Sequence, residues 1–272
     1  MSIDTPWIID SHQLEQQLND QNLLVVDMTK RDNYLQAHIP GAVFMDYANI
    51  VKHAPPIVGM LPDPEIFSQT LSSLGITPDT YVVPYDEEGG GKAARLMWTL
   101  EIAGHKKMSL LNGGIHAWIR DKKPLDVDIP KITPSHYPVS FENRSPVADA
   151  DYIKAHLNNV DFCVLDTRSK NEYIGVDKRA ARAGHIPGAI NLDWLDIKRA
   201  EDAQCLKSPK ELEDMLTELG LSPDKEVVTH CQSHHRSALM YVALKALGFK
   251  HVKGYPASWS DWASRNDTPV EI

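Results

Sequence analysis

The sequence predicts an α/β protein built as a tandem duplication of one domain, each copy a parallel sheet with helices on both faces. The pentapeptide His-Ile-Pro-Gly-Ala stands at 38–42 and again at 185–189. Short apolar runs alternate with amphipathic segments in both halves, as in layered α/β folds. The halves are offset by about 145 residues, the size of a domain and not of a solenoid repeat.

The first strand signal in each copy is an apolar run that ends in aspartate, Leu23–Asp27 and Phe162–Asp166. Apolar side chains on both faces are typical of a buried parallel strand. The repeated pentapeptide follows each strand, and its proline and glycine favour a turn with a structural role. Further on, Leu-Gly-Ile-Thr-Pro-Asp at 74–79 matches Leu-Gly-Leu-Ser-Pro-Asp at 219–224. The same order of elements therefore occurs twice.

The second copy has the clearer periodicity. It predicts helices at 148–157, 208–219 and 234–247, and strands at 162–166 and 226–230. Strands that alternate with helices indicate a parallel sheet, whose ligands lie at the carboxyl ends of the strands. We therefore expect the chemistry directly after the strand 226–230.

The two copies are separated by residues 126–146, which carry four prolines and neither a helical nor an alternating pattern. Such a composition is typical of an extended connector. We predict a first domain at 1–125 and a second domain at 147–272.

Composition excludes several classes of function. With 28 basic and 37 acidic residues the net charge is −9, which disfavours nucleic acid and acidic membranes as partners. No apolar run approaches the roughly 18 residues of a membrane helix, and the N-terminus lacks a secretory pattern. We expect a cytoplasmic protein that is monomeric and has no membrane attachment.

The three cysteines are too few for a disulfide framework, so reduced thiols are expected. Cys163 lies in an apolar strand and should pack in the core. Cys205 lies in a polar stretch and should be an exposed bystander. Cys231 stands between the strand 226–230 and the next helix, where a thiol can do chemistry.

The loop after this strand combines a thiol, a helix N-terminus and cationic side chains. Unpaired N–H groups at a helix N-terminus converge on an anion, and a thiolate is such an anion. The N–H groups and Arg236 should lower the pKa of Cys231 and attract anionic substrates. After Cys231 the loop continues through Gln232, Ser233, His234, His235, Arg236 and Ser237.

The first copy acts as an internal control for this assignment. Asp86 stands at the position that matches Cys231, in the acidic, glycine-rich run 86–92. An acidic loop repels the anions that the second loop attracts. We predict a catalytic second domain and a first domain without a nucleophile.

The chain resembles the two-domain rhodaneses, which are thiosulfate sulfurtransferases, over essentially its whole length. The resemblance rests on the paired pentapeptides, on Val-Val-Thr-His-Cys at 227–231, and on Lys-Gly-Tyr at 253–255 with Trp259. The active loop is similar to that of a bacterial subgroup with Cys-Gln-Thr-His-His-Arg. Ser233 replaces the threonine of that subgroup.

The resemblance implies sulfur transfer through a cysteine persulfide. Cys231 would attack the outer sulfur of thiosulfate, a small anionic donor, and release sulfite. Cyanide, a thiol or a dithiol protein would then remove the sulfur, and no cofactor would be required. The resemblance also implies that residues 232–237 form the cradle around Cys231 and that Trp194 lies near the pocket, with Arg168 and Asp86 as weaker candidates.

Other functions stay open at this point. Members that use 3-mercaptopyruvate typically have a Cys-Gly-Ser-Gly-Val-Thr loop, which is absent here and favours thiosulfate as donor. Cysteine phosphatases and arsenate reductases have five residues between cysteine and arginine, whereas Cys231 and Arg236 enclose four. A protein-persulfide relay module is the non-enzymatic alternative. A zinc site on this loop is disfavoured, because ligands from six consecutive residues cannot easily surround one ion.

Overall fold

The computed structural model describes residues 5–272, which divide into two compact units. The first unit comprises residues up to 50, 62–143 and 199–206, and the second comprises 51–61, 144–198 and 207–272. Each unit thus includes a short segment from the opposite half of the chain. The predicted domain limits, 125 and 147, stay predictions.

The elements follow the order that the periodicity predicts. Up to residue 120 they are β1 Ile8–Ile9, α1 Ser11–Glu15, β2 Leu23–Asp27, α2 Arg31–Gln36, β3 Val43–Phe44, a 3₁₀ turn Tyr47–Ile50, β4 Lys52–Ala54, β5 Ile57–Met60, α3 Pro64–Ser73, β6 Tyr81–Tyr85, α4 Gly91–Ile102, β7 Leu110–Leu111 and α5 Gly114–Arg120. From residue 150 they are α6 Ala150–His156, β8 Phe162–Asp166, α7 Lys170–Tyr173, β9 Ile190–Asn191, β10 Lys198–Arg199, β11 Cys205–Leu206, α8 Pro209–Glu218, β12 Glu226–His230, α9 Arg236–Ala246, β13 His251–Gly254 and α10 Ser258–Trp262.

The first unit contains a parallel sheet in the order β3-β2-β6, and β1 pairs in parallel with β7. Its core includes Val25, Val83, Leu111 and Trp118, all buried. Apolar side chains on both faces of β2 and β6 explain why these strands lie inside the unit.

The second unit contains a parallel sheet in the order β13-β12-β8-β9. In its register His230 at the end of β12 lies opposite Asp166 at the end of β8. Trp259 and Trp262 are buried in the same hydrophobic core as Val164 of β8 and Val228 of β12. Both strand ends therefore reach the same edge, which is where the predicted nucleophile follows.

The predicted α/β fold with parallel sheets and flanking helices is confirmed. The strands at 162–166 and 226–230 have the predicted bounds, while α9 begins at Arg236 and not at residue 234. The helix starts later because His234 has φ +56°, a left-handed conformation that interrupts a right-handed helix.

The repeated pentapeptides form turns. In the second copy the Ala189 N–H donates to the Ile186 carbonyl at 3.0 Å, with Gly188 at φ +69°. The ring of His185 stacks on Tyr173 at 3.8 Å, and the Tyr173 hydroxyl donates to the Ala189 carbonyl at 2.6 Å. These contacts fit the structural role predicted for the motif.

Among residues 5–272 no helix combines the length and the apolar character that crossing a membrane requires.

Candidate active site

Cys231 lies immediately after β12 and is fully buried. Its N–H donates to the Ser258 hydroxyl at 3.2 Å, and its carbonyl accepts from the Trp259 N–H at 3.0 Å. The next carbonyl, that of Gln232, accepts from the Ser260 N–H at 3.1 Å. The start of α10 therefore holds the outer side of the loop.

The inner side of the loop presents hydrogen-bond donors to the thiol. Burial raises the pKa of Cys231, but the Arg236 guanidinium, the Ser237 hydroxyl and the N–H groups of Ser237 and Ser233 outweigh it. Together they bring the pKa of Cys231 down from 9.0 to about 7. The lowered pKa favours the thiolate at neutral pH, as a nucleophile requires.

The backbone conformation of His234 helps to direct the loop N–H groups toward the Cys231 thiol. His234 is fully buried with φ +56°, and His235 after it is right-handed. Adjacent left- and right-handed residues direct successive N–H groups toward one side and form an anion-binding nest. The Nδ1 atom of His234 also lies 2.8 Å from the Ser237 hydroxyl oxygen, which fixes the hydroxyl beside the thiol.

Arg236 is held by a buried carboxylate. Its Nη1 and Nη2 atoms donate to the two oxygens of Glu172 at 2.6 and 2.9 Å. Burial raises the pKa of Glu172, but Arg236 overrides this effect and lowers it to about 2. The arginine predicted to attract anions is thus already paired, and its field reaches the thiol from a fixed position.

The end of β8 carries a second buried ion pair. Arg168 donates to Asp166 from Nε at 3.0 Å and to the Gly184 carbonyl from Nη2 at 2.9 Å, and it packs on Trp259 at 4.4 Å. Burial lowers the pKa of His230 to about 4, so this histidine is neutral at pH 7. The contacts of Arg168 support the strand end and not the cradle.

Three further predicted site residues, Gln232, His235 and Trp194, make contacts at the edge of the loop that follows Cys231. The rings of Trp194 and His235 are 5.9 Å apart, and the Lys198 ammonium lies 3.7 Å from the Trp194 ring. The Gln232 side chain donates to the Arg179 carbonyl at 3.3 Å. Trp194 therefore lies beside His235 of the loop, and its role in the pocket stays a prediction.

Asp86 occupies a corresponding cradle in the first unit. Its Oδ1 atom accepts from the N–H groups of Glu88 and Gly90, and its Oδ2 atom from those of Lys92 and Ala93, at 2.8 to 3.0 Å. The first unit therefore keeps the converging amides but fills them with its own carboxylate. The Asp86 side chain therefore satisfies these four N–H donors of its own loop.

The geometry of this loop agrees with the protein family whose model matches the chain. The family model described as rhodanese-like domain matches residues 10–121 and 149–265. The chain belongs to the rhodanese family.

Relatives of this rhodanese span its full length. It is 40% identical to a thiosulfate sulfurtransferase of Pseudomonas aeruginosa, over 99% of this chain and 98% of that protein. It is 31% identical to a 3-mercaptopyruvate sulfurtransferase of Escherichia coli, over 99% of each. A solved structure of an anaerobic ergothioneine biosynthesis enzyme from Chlorobium limicola has a TM-score of 0.86 at 24% identity, covering 98% of this chain and 70% of that one. That likeness concerns the fold alone.

A hairpin that the sequence did not predict packs on the loop that follows Cys231. In the second unit, β4 and β5 form an antiparallel pair, and Gly59 lies against the backbone of Ser233. The Val58 N–H donates to the Ser260 hydroxyl at 3.0 Å, and that hydroxyl donates back to the Val58 carbonyl at 3.1 Å. Nothing in the local sequence of residues 51–61 indicates a partner about 175 residues away.

The other two cysteines of this rhodanese are buried. Cys163 packs in the core, as predicted, and burial raises its pKa to about 12. The prediction of an exposed Cys205 is wrong, since it is 8% exposed and its sulfur lies against Gly113 and 3.4 Å from Arg120 Nη1. The polar residues before it gave a misleading signal, because the turn there directs the sulfur inward.

Within residues 5–272 no group of three or more His, Cys, Asp or Glu side chains is placed to hold a metal ion.

The thiol pKa gives a direct prediction. The ultraviolet absorbance of the Cys231 thiolate should appear with a midpoint near pH 7, measured as the difference between the native chain and its Cys231→Ser variant. Arg236→Ala should move the midpoint toward 9.0, the ordinary value, because the variant loses a cation and leaves the Glu172 carboxylate unpaired. Circular dichroism controls for folding. An unchanged midpoint in a folded variant would remove Arg236 from the account.

Proposed function

We propose that this rhodanese moves the outer sulfur of thiosulfate through a persulfide on Cys231 to a thiophilic acceptor. The observation that carries the proposal is the set of N–H and hydroxyl donors around a thiol whose pKa is about 7, together with the positive charge of Arg236. Membership of the rhodanese family and the name of the Pseudomonas aeruginosa relative support it.

The first half-reaction loads the cysteine. The Cys231 thiolate attacks the outer sulfur of thiosulfate, a new sulfur–sulfur bond forms, and the bond within thiosulfate breaks with its electron pair leaving on sulfite. The charge moves from the cysteine sulfur to the outer sulfur of the persulfide. The N–H groups of Ser233 and Ser237 and the Ser237 hydroxyl remain beside that charge, and the positive charge of Arg236 stabilises it.

The second half-reaction restores the thiolate. An acceptor such as cyanide attacks the outer sulfur, and the electron pair of the persulfide bond returns to Cys231. The products are thiocyanate and the free enzyme, so no oxidant or reductant is consumed. The proposal needs no cofactor, because the cysteine carries the transferred atom. Thiols and dithiol proteins are the proposed acceptors in the cell, and the proposal includes a cytoplasmic, monomeric enzyme.

The donor is tested by steady-state kinetics with thiosulfate and 3-mercaptopyruvate on one preparation, with cyanide as acceptor. We expect the higher kcat/KM with thiosulfate, since the N–H groups that converge in the loop Gln232–Ser237 suit a small dianion. A higher value with 3-mercaptopyruvate would favour the function of the Escherichia coli relative. An aryl phosphate serves as the third substrate, and Cys231-dependent hydrolysis of it would overturn sulfur transfer as the main activity.

A further inference from the structure

The arginine that faces the thiol is itself positioned by a single carboxylate. Glu172 is 2% exposed and receives both terminal nitrogens of Arg236, at 2.6 and 2.9 Å. A two-pronged arginine–carboxylate pair fixes orientation as well as distance. Arg236 therefore has little freedom to turn away from Cys231.

Glu172 is in turn fixed by its own helix. The Oε2 atom accepts from the N–H and the hydroxyl of Ser169 at 3.2 and 3.1 Å, while the Glu172 N–H donates back to that hydroxyl. This reciprocal arrangement is a capping box at the start of α7. A helix cap alone does not need a partner on another element, yet this carboxylate bonds an arginine 64 positions along the chain.

We propose that Glu172 is a positioning residue of the sulfur-transfer site, which fixes the Arg236 guanidinium beside Cys231 and offsets part of its positive charge. The inference deepens the proposed function and rests on it. Two physical consequences follow, with opposite signs. Removing the negative charge while keeping the anchor strengthens the positive field at the thiol, whereas shortening the anchor weakens that field.

Other charged groups near the loop interact with the same charges, so each variant must leave those groups unchanged. The pKa of Asp193 depends on the Arg236–Glu172 pair as well. Burial raises this pKa, Arg236 lowers it and Glu172 raises it. His230 is neutral near pH 7, and Arg179 lies 3.8 Å from Glu172 on the solvent side. The titratable and charged groups around the loop and the adjoining strand ends include His230, His234, His235, Asp166, Arg168, Glu172, Arg179 and Asp193.

The chain offers a matched control. Ser208 and Glu211 form the same capping box at the start of α8, where the Glu211 Oε2 atom accepts from the Ser208 N–H at 2.9 Å. Glu211→Gln removes the same charge from the same kind of helix cap. Any effect common to the two sites is therefore a capping effect.

The experiment titrates the ultraviolet absorbance of the Cys231 thiolate in the full-length chain and three variants. Glu172→Gln keeps one acceptor oxygen for Arg236, and we expect its midpoint about one pH unit lower than in the native chain, a tenfold change in the thiolate equilibrium. Glu172→Asp keeps the charge but shortens the anchor, and we expect a higher midpoint. Glu211→Gln should leave the midpoint in place.

Equal midpoints in the native chain and both Glu172 variants would overturn the proposal and reduce Glu172 to a helix cap. A shift in Glu211→Gln as large as in Glu172→Gln would overturn it as well. If neither Glu172 variant folds, Arg236→Lys decides, since it keeps the charge but loses the two-pronged bond. A raised midpoint supports the proposal and an unchanged one contradicts it. The readout needs no sulfur donor, so a native chain that lacks sulfur transfer would sink the proposed function without affecting this result.

Discussion

Cys231→Ser should abolish sulfur transfer from thiosulfate to cyanide, with a loss of kcat on the order of 10⁴-fold or more. A serine hydroxyl is not ionised at neutral pH and does not accept sulfur, so both half-reactions lose their nucleophile. The replacement is nearly isosteric, and the ring of donors around position 231 can remain in place. The measurement is thiocyanate formation under saturating donor and acceptor.

The other two cysteines are the controls for this prediction. Cys163→Ala and Cys205→Ser should retain most of the activity, because Cys163 packs in the core of the second unit and Cys205 lies in the first unit. Both substitutions affect buried side chains, so modest losses of stability are expected. Appreciable turnover by Cys231→Ser, or its loss in a folded Cys205→Ser, would place the nucleophile elsewhere.

Gly59→Ala is the second substitution with a large expected effect. Gly59 has φ +79°, and a Cβ atom there would lie 2.2 Å from the Ser233 carbonyl oxygen and 2.6 Å from the Ser233 Cβ. Because the Ser233 N–H helps to stabilise the thiolate, a displaced Ser233 removes a donor from the ring. We expect kcat/KM to fall about 10²-fold, the usual cost of a displacement of about 1 Å in an active site.

A matched glycine separates this contact from backbone strain. Gly248 also lies in the second unit, at φ +82°, but has no atom within 4 Å of its would-be Cβ. Gly248→Ala should cost about 1–2 kcal/mol of stability from its left-handed backbone alone and leave kcat/KM almost unchanged. Similar kinetics in the two alanine variants would show that the hairpin does not support the loop.

The sequence predicted those parts of the fold that depend on local pattern. The strands Leu23–Asp27 and Phe162–Asp166 are where the apolar runs placed them, because a strand buried on both faces is rich in apolar residues. The position of Cys231 between a strand and a helix followed from the same pattern. Cys205 was misjudged because the polarity of neighbouring residues does not determine where one side chain points.

Long-range contacts were not visible in the sequence. Ser169 and Glu172 form a recognisable capping-box pattern, but the pattern does not reveal that Arg236 shares the carboxylate. The approach of Gly59 to Ser233 joins two segments from different halves of the chain, and a glycine alone does not name its neighbour. The duplication predicted that Asp86 stands at the position that matches Cys231, and Asp86 does follow β6 as Cys231 follows β12. The hydrogen bonds from the loop N–H groups to its carboxylate were not predicted.

Mass spectrometry of the native chain after treatment with thiosulfate tests the central claim most directly. We expect the peptide that contains Cys231 to gain the mass of one sulfur atom and to lose it again on addition of cyanide. The peptides that contain Cys163 and Cys205 should keep their masses. A sulfur atom found on either of those peptides, or on no peptide at all, would contradict sulfur transfer through Cys231.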